Sequence, residues 1–378
     1  MVHIADLHLD HPFRWLDDPE LRTKRRNEQK VAFRKALKEA QKEGACAVLV
    51  AGDLLEGEKF SVGTVNFLME TFESVHPLEV LIAAGNHDPM TPDSPYSTFS
   101  WPSNVRFMPP GEVGCFEVCD GLLVCGRSHA RGLERANPLA RFKPPECDAV
   151  KILLLHASYA EWGREEFFYG KVSFPLPKTS LERACFDYVA LGHHHSHRKL
   201  ELQGGVGCYP GSPVALTPSE TGQRFFVVVE VERGRADPRF ISTGATELRE
   251  VEVDCTGATS SMEVQKRAKK ALRDVPRESF LVVSFSGEIP PRGDLELDDV
   301  AVALKENGFK LVKVRDKTVL AQEIEDIKSE ESVRGEFVRM VIEEIEHARE
   351  EGNEKRKAVL EKALKLGLQA FYGKEVRI

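Results

Sequence analysis

Val80-Leu81-Ile82-Ala83-Ala84-Gly85-Asn86-His87-Asp88 decides how this chain folds. An apolar run without a polar break leads into a glycine and then into three side chains that can bind metal or move protons. Such a run marks a strand covered on both faces, and glycine permits the sharp exit after it. The same grammar occurs upstream in Ala47-Val48-Leu49-Val50-Ala51-Gly52-Asp53. It returns in Ile152-Leu153-Leu154-Leu155-His156 and in Tyr188-Val189-Ala190-Leu191-Gly192-His193-His194-His195. Val2–Ala5, the visible end of a first strand, runs into Asp6-Leu7-His8. Ligand sites in open α/β sheets gather at the C-terminal ends of strands, and every one of these motifs is placed there.

The residue types suit two-metal hydrolysis of a phosphate ester. Asp6 and His8 lie two apart on a segment read as extended, so both face one side. Asp53 has two oxygens and can bridge two ions; ion pairs roughly 3.5–4 Å apart are typical of such sites. Asn86 offers a neutral carbonyl oxygen, which leaves a metal more electrophilic. His87 points elsewhere and is the candidate general acid, with Asp88 expected to accept its N–H and fix its tautomer. His156 is a ligand candidate by its place in the order of motifs. Alternation puts His193 and His195 on one side and His194 on the other. His197 is unassigned. His3, His11, His76, His129 and His347 are read as structural or surface residues.

The 378 residues, 42% hydrophobic and 30% charged, fit a globular protein of two or three domains. No apolar run approaches the roughly 20 residues needed to span a bilayer. No signal peptide is read, so a cytoplasmic location without membrane association is expected. The net charge of -8 counts against a sequence-independent nucleic-acid binder, although bound divalent metals reverse local charge. The basic run Arg22, Lys24, Arg25, Arg26 and Lys30 reads as a solvated helix face, with a DNA contact as the alternative. The eight cysteines show no C-x-x-C pair and are expected to be reduced thiols.

Three parts are expected. Residues 1–245 alternate strands and helices, among them helices over Glu28–Glu43 and Thr64–Val75 and later strands over Phe225–Val231 and Phe240–Ser242. Residues 246–320 read as a small α+β module: strands at Val251–Val253, Phe280–Phe285 and Phe309–Val314, helices at Ser261–Leu272 and Leu297–Asn307, and a loop at Pro290, Pro291 and Gly293. Residues 329–378 read as two helices, Ser332–Glu350 and Glu354–Phe371; the second, with Val359, Ala363 and Leu366, has a wider apolar stripe than one neighbour needs, so partner binding stands beside packing on the protein's own body.

The ordered motif set resembles the calcineurin-like metallophosphoesterase superfamily. Ala5-Asp6-Leu7-His8-Leu9-Asp10 with Pro12-Phe13, and Tyr209-Pro210-Gly211-Ser212-Pro213 ahead of Phe225–Glu230, resemble SbcD-type DNA repair exonucleases, in their YhaO-like branch. The resemblance implies a four-layer α/β/β/α sandwich with an α+β capping domain and a C-terminal helical hairpin. It implies two divalent metals, Mn²⁺ first, with Fe, Zn or Mg as alternatives. One metal would take Asp6, His8, Asp53 and His195, the other Asp53, Asn86, His156 and His193. His87 would assist near the scissile phosphate. Glu56 stands where relatives commonly carry Asp or His. The implied activity is DNA exonuclease or endonuclease cleavage in double-strand-break repair. The implied partners are DNA, an SbcC- or YhaN-like coiled-coil ATPase bound through the C-terminal helices, and a second copy in a homodimer. Two other readings stand beside it: a phosphodiesterase on a small or nucleotide-like ester, and a DNA-end-binding scaffold with secondary catalysis.

Overall fold

The computed structural model describes residues 1–57, 60–161, 172–290, 297–320 and 323–371. Pro291, Gly293 and residues 372–378 of the expected elements lie outside them. The chain divides into two compact units, Met1–Glu247 and Leu248–Ile378.

The first unit holds two six-stranded sheets. In one, β1 (Val2–Ile4), β2 (Ala47–Ala51), β3 (Glu79–Ala83) and β4 (Val105–Phe107) run parallel, and β11 (Phe225–Glu232) with β12 (Arg235–Ser242) adds an antiparallel edge. In the other, β6 (Leu122–Arg127), β7 (Val150–His156), β8 (Tyr188–Gly192) and β10 (Gly205–Tyr209) run parallel between antiparallel edges β5 (Gly114–Cys119) and β9 (Arg198–Leu202).

Side-chain alternation sorts the apolar runs into layers. Leu49, Ala51, Leu81 and Ala83 pack against Ile152, Leu154, Tyr188 and Ala190 in a core between the sheets. Val48, Val50, Val80 and Ile82 point the other way, onto α1 (Pro19–Lys42) and α2 (Val62–Glu73). Leu153, Leu155, Val189 and Leu191 cover the far side with Leu181 and Ala184 of α4 (Lys178–Ala184); a single turn, α3 (Pro95–Thr98), precedes it. The result is the mixed α/β sandwich of stacked layers expected from the motifs.

α1 begins nine residues before the expected Glu28. Asp18 caps it, its carboxylate accepting from the Glu20 N–H, with Pro19 in the first turn. Arg25 is buried rather than solvated: its guanidinium donates to Glu28, Thr246 O and Ala215 O. Cys115 and Cys125 stand directly opposite each other on β5 and β6 and are joined as a disulfide. This corrects the expectation of eight reduced thiols.

In the second unit, β13 (Leu248–Asp254), β14 (Phe280–Ile289) and β15 (Lys310–Leu320) form a parallel sheet. Parallel neighbours need crossovers, supplied by α5 (Ser261–Ala271) and α6 (Leu297–Glu306), which share a core with the sheet through Val264, Ala268, Val300 and Leu304. After α7 (Glu323–Lys328), α8 (Val333–Glu350) and α9 (Glu354–Phe371) pair through Val338, Leu364 and Leu368. Ser332 caps α8 by accepting from the Gly335 N–H.

Candidate metal centre

The parallel strands of both sheets deliver their C-terminal ends to one crevice. β1 leads to Asp6 and His8, β2 to Asp53, β3 to Asn86, β7 ends at His156, and β8 leads to His193 and His195. The exits are strained: Asp6 (φ 52), His8 (φ 46), Asp53 (φ 48) and His193 (φ 101) all have positive φ. Left-handed non-glycine residues cluster at functional sites. This also changes the reason why Asp6 and His8 converge. They are not on an extended segment; their N–H groups donate to Gly52 O (3.1 Å) and Asp53 O (2.8 Å), which strap the two exits together. Close approach explains the glycines: a Cβ on Gly85 would stand 2.1 Å from Asp53 Oδ1, and one on Gly192 would stand 1.8 Å from Ala51 O.

Asp53 is central. Its Oδ2 lies 3.4 Å from His8 Nε2 and 3.2 Å from His156 Nε2. Asn86 Oδ1 stands 3.0 Å from His156 Nε2 and 3.1 Å from His193 Nδ1. Asp6 Oδ1 accepts from the His193 N–H at 2.9 Å. Donor atoms of Asp6, His8 and His195 come within 4.8 Å of one another, and so do those of Asp6, Asp53 and His156. Asp6 Oδ2 and His8 Nε2 are buried, and among the described residues neither finds a hydrogen-bond partner. Buried polar atoms normally have one. Two buried ligand atoms without a hydrogen bond, one of them 3.4 Å from the Asp53 carboxylate, inside a cluster of carboxylates and imidazoles fit a bound divalent cation.

The charges agree. Burial alone would lower the pKa of His156, but the Asp53 and Asp6 carboxylates raise it to about 9. Acidic groups there demand positive charge, which a metal supplies while displacing the proton. The ring is already oriented, because His156 Nδ1 stands 3.0 Å from Ala51 O, where it donates and leaves Nε2 facing Asp53.

Asp88 does not orient His87. Its buried carboxylate accepts from the N–H groups of Asp53, Leu54, Leu55 and Gly85 and from the Tyr96 hydroxyl. Five donors occupy it, so it fixes the β2 and β3 exits. The group beside His87 is Glu56, at 3.6 Å from Nδ1. Interaction with Glu56 lifts the His87 pKa to about 9, against the effect of burial. His87 is half-exposed and lines a cleft of ≈ 490 Å³ with Asp53, Asn86, Leu133, His193 and His194. His194 thus reaches the cleft as well, because the chain leaves β8 at Gly192 and strand alternation ends there.

Residues outside the motifs complete the surroundings. Glu220 stands 3.0 Å from His195 Nδ1 and Glu56 2.6 Å from His8 Nδ1. Glu220 carried no signal in the sequence: it sits 25 residues beyond His195, in a loop without periodicity. His129 is buried against Phe174, and His197 packs on Phe225 and Phe240. His3 is buried beside the Tyr188 hydroxyl.

A layered α/β sandwich with carboxylates, imidazoles and one amide converging at its strand ends has the make-up of a metal-dependent phosphoesterase. The chain belongs to the calcineurin-like phosphoesterase family, whose model matches residues 1–197. It is 27% identical over 266 residues to the uncharacterized metallophosphoesterase YhaO of Bacillus subtilis (strain 168), covering 68% of this chain. The match spans 63% of that relative's length. Among solved structures it is similar to TT1561 of Thermus thermophilus, at 15% identity and a TM-score of 0.34, over 54% of this chain and 93% of that one. It is also similar to Vacuolar Protein Sorting 29 of Cryptosporidium parvum, at 16% identity and a TM-score of 0.29, over 64% of this chain and 95% of that one. Among the described residues no helix is long and apolar enough to cross a membrane.

Proposed function

We propose that this phosphoesterase is a two-metal, Mn²⁺-dependent DNA nuclease. The observation that carries the hydrolytic reading is Asp53: one carboxylate oxygen lies within 3.4 Å of imidazole nitrogens from both ligand groups. Asp6, His8, Asp53 and His195 would hold one ion, and Asp53, Asn86, His156 and His193 the other. When bound, the ions supply Lewis acidity toward the phosphoryl oxygens and a nucleophilic water at neutral pH.

The chain's own groups supply the rest. Asp88 fixes the backbone that aims Asp53 and Asn86. His87 reaches into the cleft and, held protonated beside Glu56, donates its proton to the leaving oxygen. Tyr209–Pro213 and the Asp6–Asp10 segment, which resemble SbcD-type exonucleases, support DNA as the substrate. α8 and α9 leave Val333, Met340 and Val359 more than half exposed although the pair has its own core. That surplus apolar surface supports docking on a coiled-coil ATPase. A homodimer belongs to the same proposal.

The test compares Mn²⁺-dependent cleavage of end-labelled linear duplex DNA with cleavage of bis-p-nitrophenyl phosphate and cyclic nucleotides. Preference for DNA is expected. Turnover of the small esters far above that of DNA favours the small-substrate reading instead.

A further inference from the structure

The connection from β6 to β7 brings one leucine to the metal cleft. Among the described residues lining that ≈ 490 Å³ space, Leu133 is the one apolar side chain; the others offer carboxylate, amide, imidazole and hydroxyl groups. Leu133 is 45% exposed. A lone exposed leucine on open surface is ordinary. On a fixed loop in a polar cleft it is a contact offered to a ligand.

The loop is held on both sides of Leu133. Before it, the His129 N–H donates to Ala84 O at 3.0 Å, the Met90 N–H donates to His129 O at 2.7 Å, and His129 Nε2 stands 2.9 Å from His156 O. The loop is thus built on the exits of β3 and β7, which also carry Asn86 and His156. After Leu133, Glu134 is buried. Its carboxylate accepts from the Ala130 N–H and from Arg127 Nη2, both at 2.8 Å, and its carbonyl accepts from the Phe174 N–H at 2.6 Å. Between these anchors the backbone of Gly132 passes beside Asn86: a Cβ there would stand 3.9 Å from Asn86 O. The backbone under Leu133 is set before a ligand arrives, which lowers the ordering cost of a contact.

A phosphodiester held by the ligand cluster has a polar centre, so a single leucine beside it calls for one compact apolar face. A nucleobase has such a face, and packing on it tolerates any sequence. A lipid phosphodiester presents long alkyl chains and needs a continuous apolar groove, which one leucine does not make. Arg131 and Arg135, two residues to either side, are exposed and suit a polyanion. We propose that Leu133 packs on the nucleobase next to the scissile phosphate and makes the cleft selective for nucleotide esters. The inference rests on the phosphodiesterase reading above and names the substrate group that its cleft recognises.

The experiment measures inhibition by two competitors of equal charge: a single-stranded trinucleotide, and the same chain built of abasic tetrahydrofuran sugars. Both are set against the initial rate of Mn²⁺-dependent cleavage of linear duplex DNA, or of bis-p-nitrophenyl phosphate where DNA is left intact. For the wild type the intact trinucleotide is expected to inhibit about tenfold more strongly. Leu133→Ala should remove most of that difference, and Leu133→Met, which keeps an apolar side chain of similar size, should retain it. Leu133 is exposed, so neither substitution opens a core. Equal inhibition by the two competitors in the wild type, or a preference that survives Leu133→Ala undiminished, overturns the inference and leaves the nuclease reading standing. Turnover of bis-p-nitrophenyl phosphate with DNA left intact overturns the nuclease reading, and the two competitors still decide on Leu133. Turnover of neither substrate overturns both.

Discussion

At the scale of the residue, two neighbours in one motif have separate tasks. His87 faces the cleft with its pKa raised beside Glu56, and Asp88 is occupied by four backbone N–H groups and a phenol. His87→Ala is therefore expected to lower kcat by about 10²–10⁴-fold, the range of a lost general acid. Its Mn²⁺ content, measured by elemental analysis, should match the wild type. Asp88→Asn is expected to act through the fold. It replaces one accepting oxygen by an NH2 group that faces donors, which then lack an acceptor, costing roughly 2–4 kcal/mol. A denaturant melt reads that loss, and an Asp88→Asn protein of wild-type stability contradicts the assignment. The seven candidate ligands were visible in the sequence because each follows an apolar run. Glu220 and the orienting role of Glu56 were not, because they reach His195 and His8 across long stretches of chain in conformations that no periodicity announces.

At the scale of the element, the sandwich makes a pH prediction. His3 on β1 lies 2.9 Å from the Tyr188 hydroxyl of β8, so it joins the two sheets. Burial drives its pKa down to about 3. A histidine depressed in the fold and ordinary in the unfolded chain gives the unfolded state the extra proton between those values. Stability then rises with pH through that window and levels off above about 6.5. At pH 5 the linkage removes about 2 kcal/mol relative to pH 7. Urea melts at pH 7 and pH 5, on wild type and His3→Asn, should show a smaller acid loss in the variant; an equal loss in both contradicts it.

The element scale also shows what the sequence could announce. β2, β3, β7 and β8 were readable to within about two residues, because strands covered on both faces have no polar positions to blur them. β9, Arg198-Lys199-Leu200-Glu201-Leu202, is an edge strand with only Leu200 buried, and it offered no such run. The pairing of β5 with β6 was hidden: β5 is half-exposed along its length, and only its register with β6 brings Cys115 to Cys125. The early start of α1 depended on Asp18-Pro19, a capping signal outside the apolar stripe that marked its middle.

At the scale of the whole molecule, the proposed chemistry and the proposed docking belong to different stretches of chain. Every candidate ligand lies between Asp6 and His195, inside the unit Met1–Glu247, and α8–α9 has a core of its own around Val338, Leu364 and Leu368. Deleting residues 329–378 should leave the Mn²⁺ stoichiometry and DNA cleavage of the isolated protein unchanged. Co-purification with a coiled-coil ATPase should be lost. Association that survives the deletion contradicts the docking role of the hairpin.

Asp53 stands between both ligand groups, where it would hold two divalent ions for phosphodiester hydrolysis. The most direct test of that role measures bound Mn²⁺ and Mn²⁺-dependent phosphodiesterase rate on the same samples of wild type and Asp53→Asn. Two equivalents and activity are expected for the wild type. For the variant, at most one equivalent and a rate lower by about 10³-fold or more are expected, several kcal/mol of lost transition-state stabilisation. An Asp53→Asn protein that keeps both ions and its full rate would rule out Asp53 as the shared ligand.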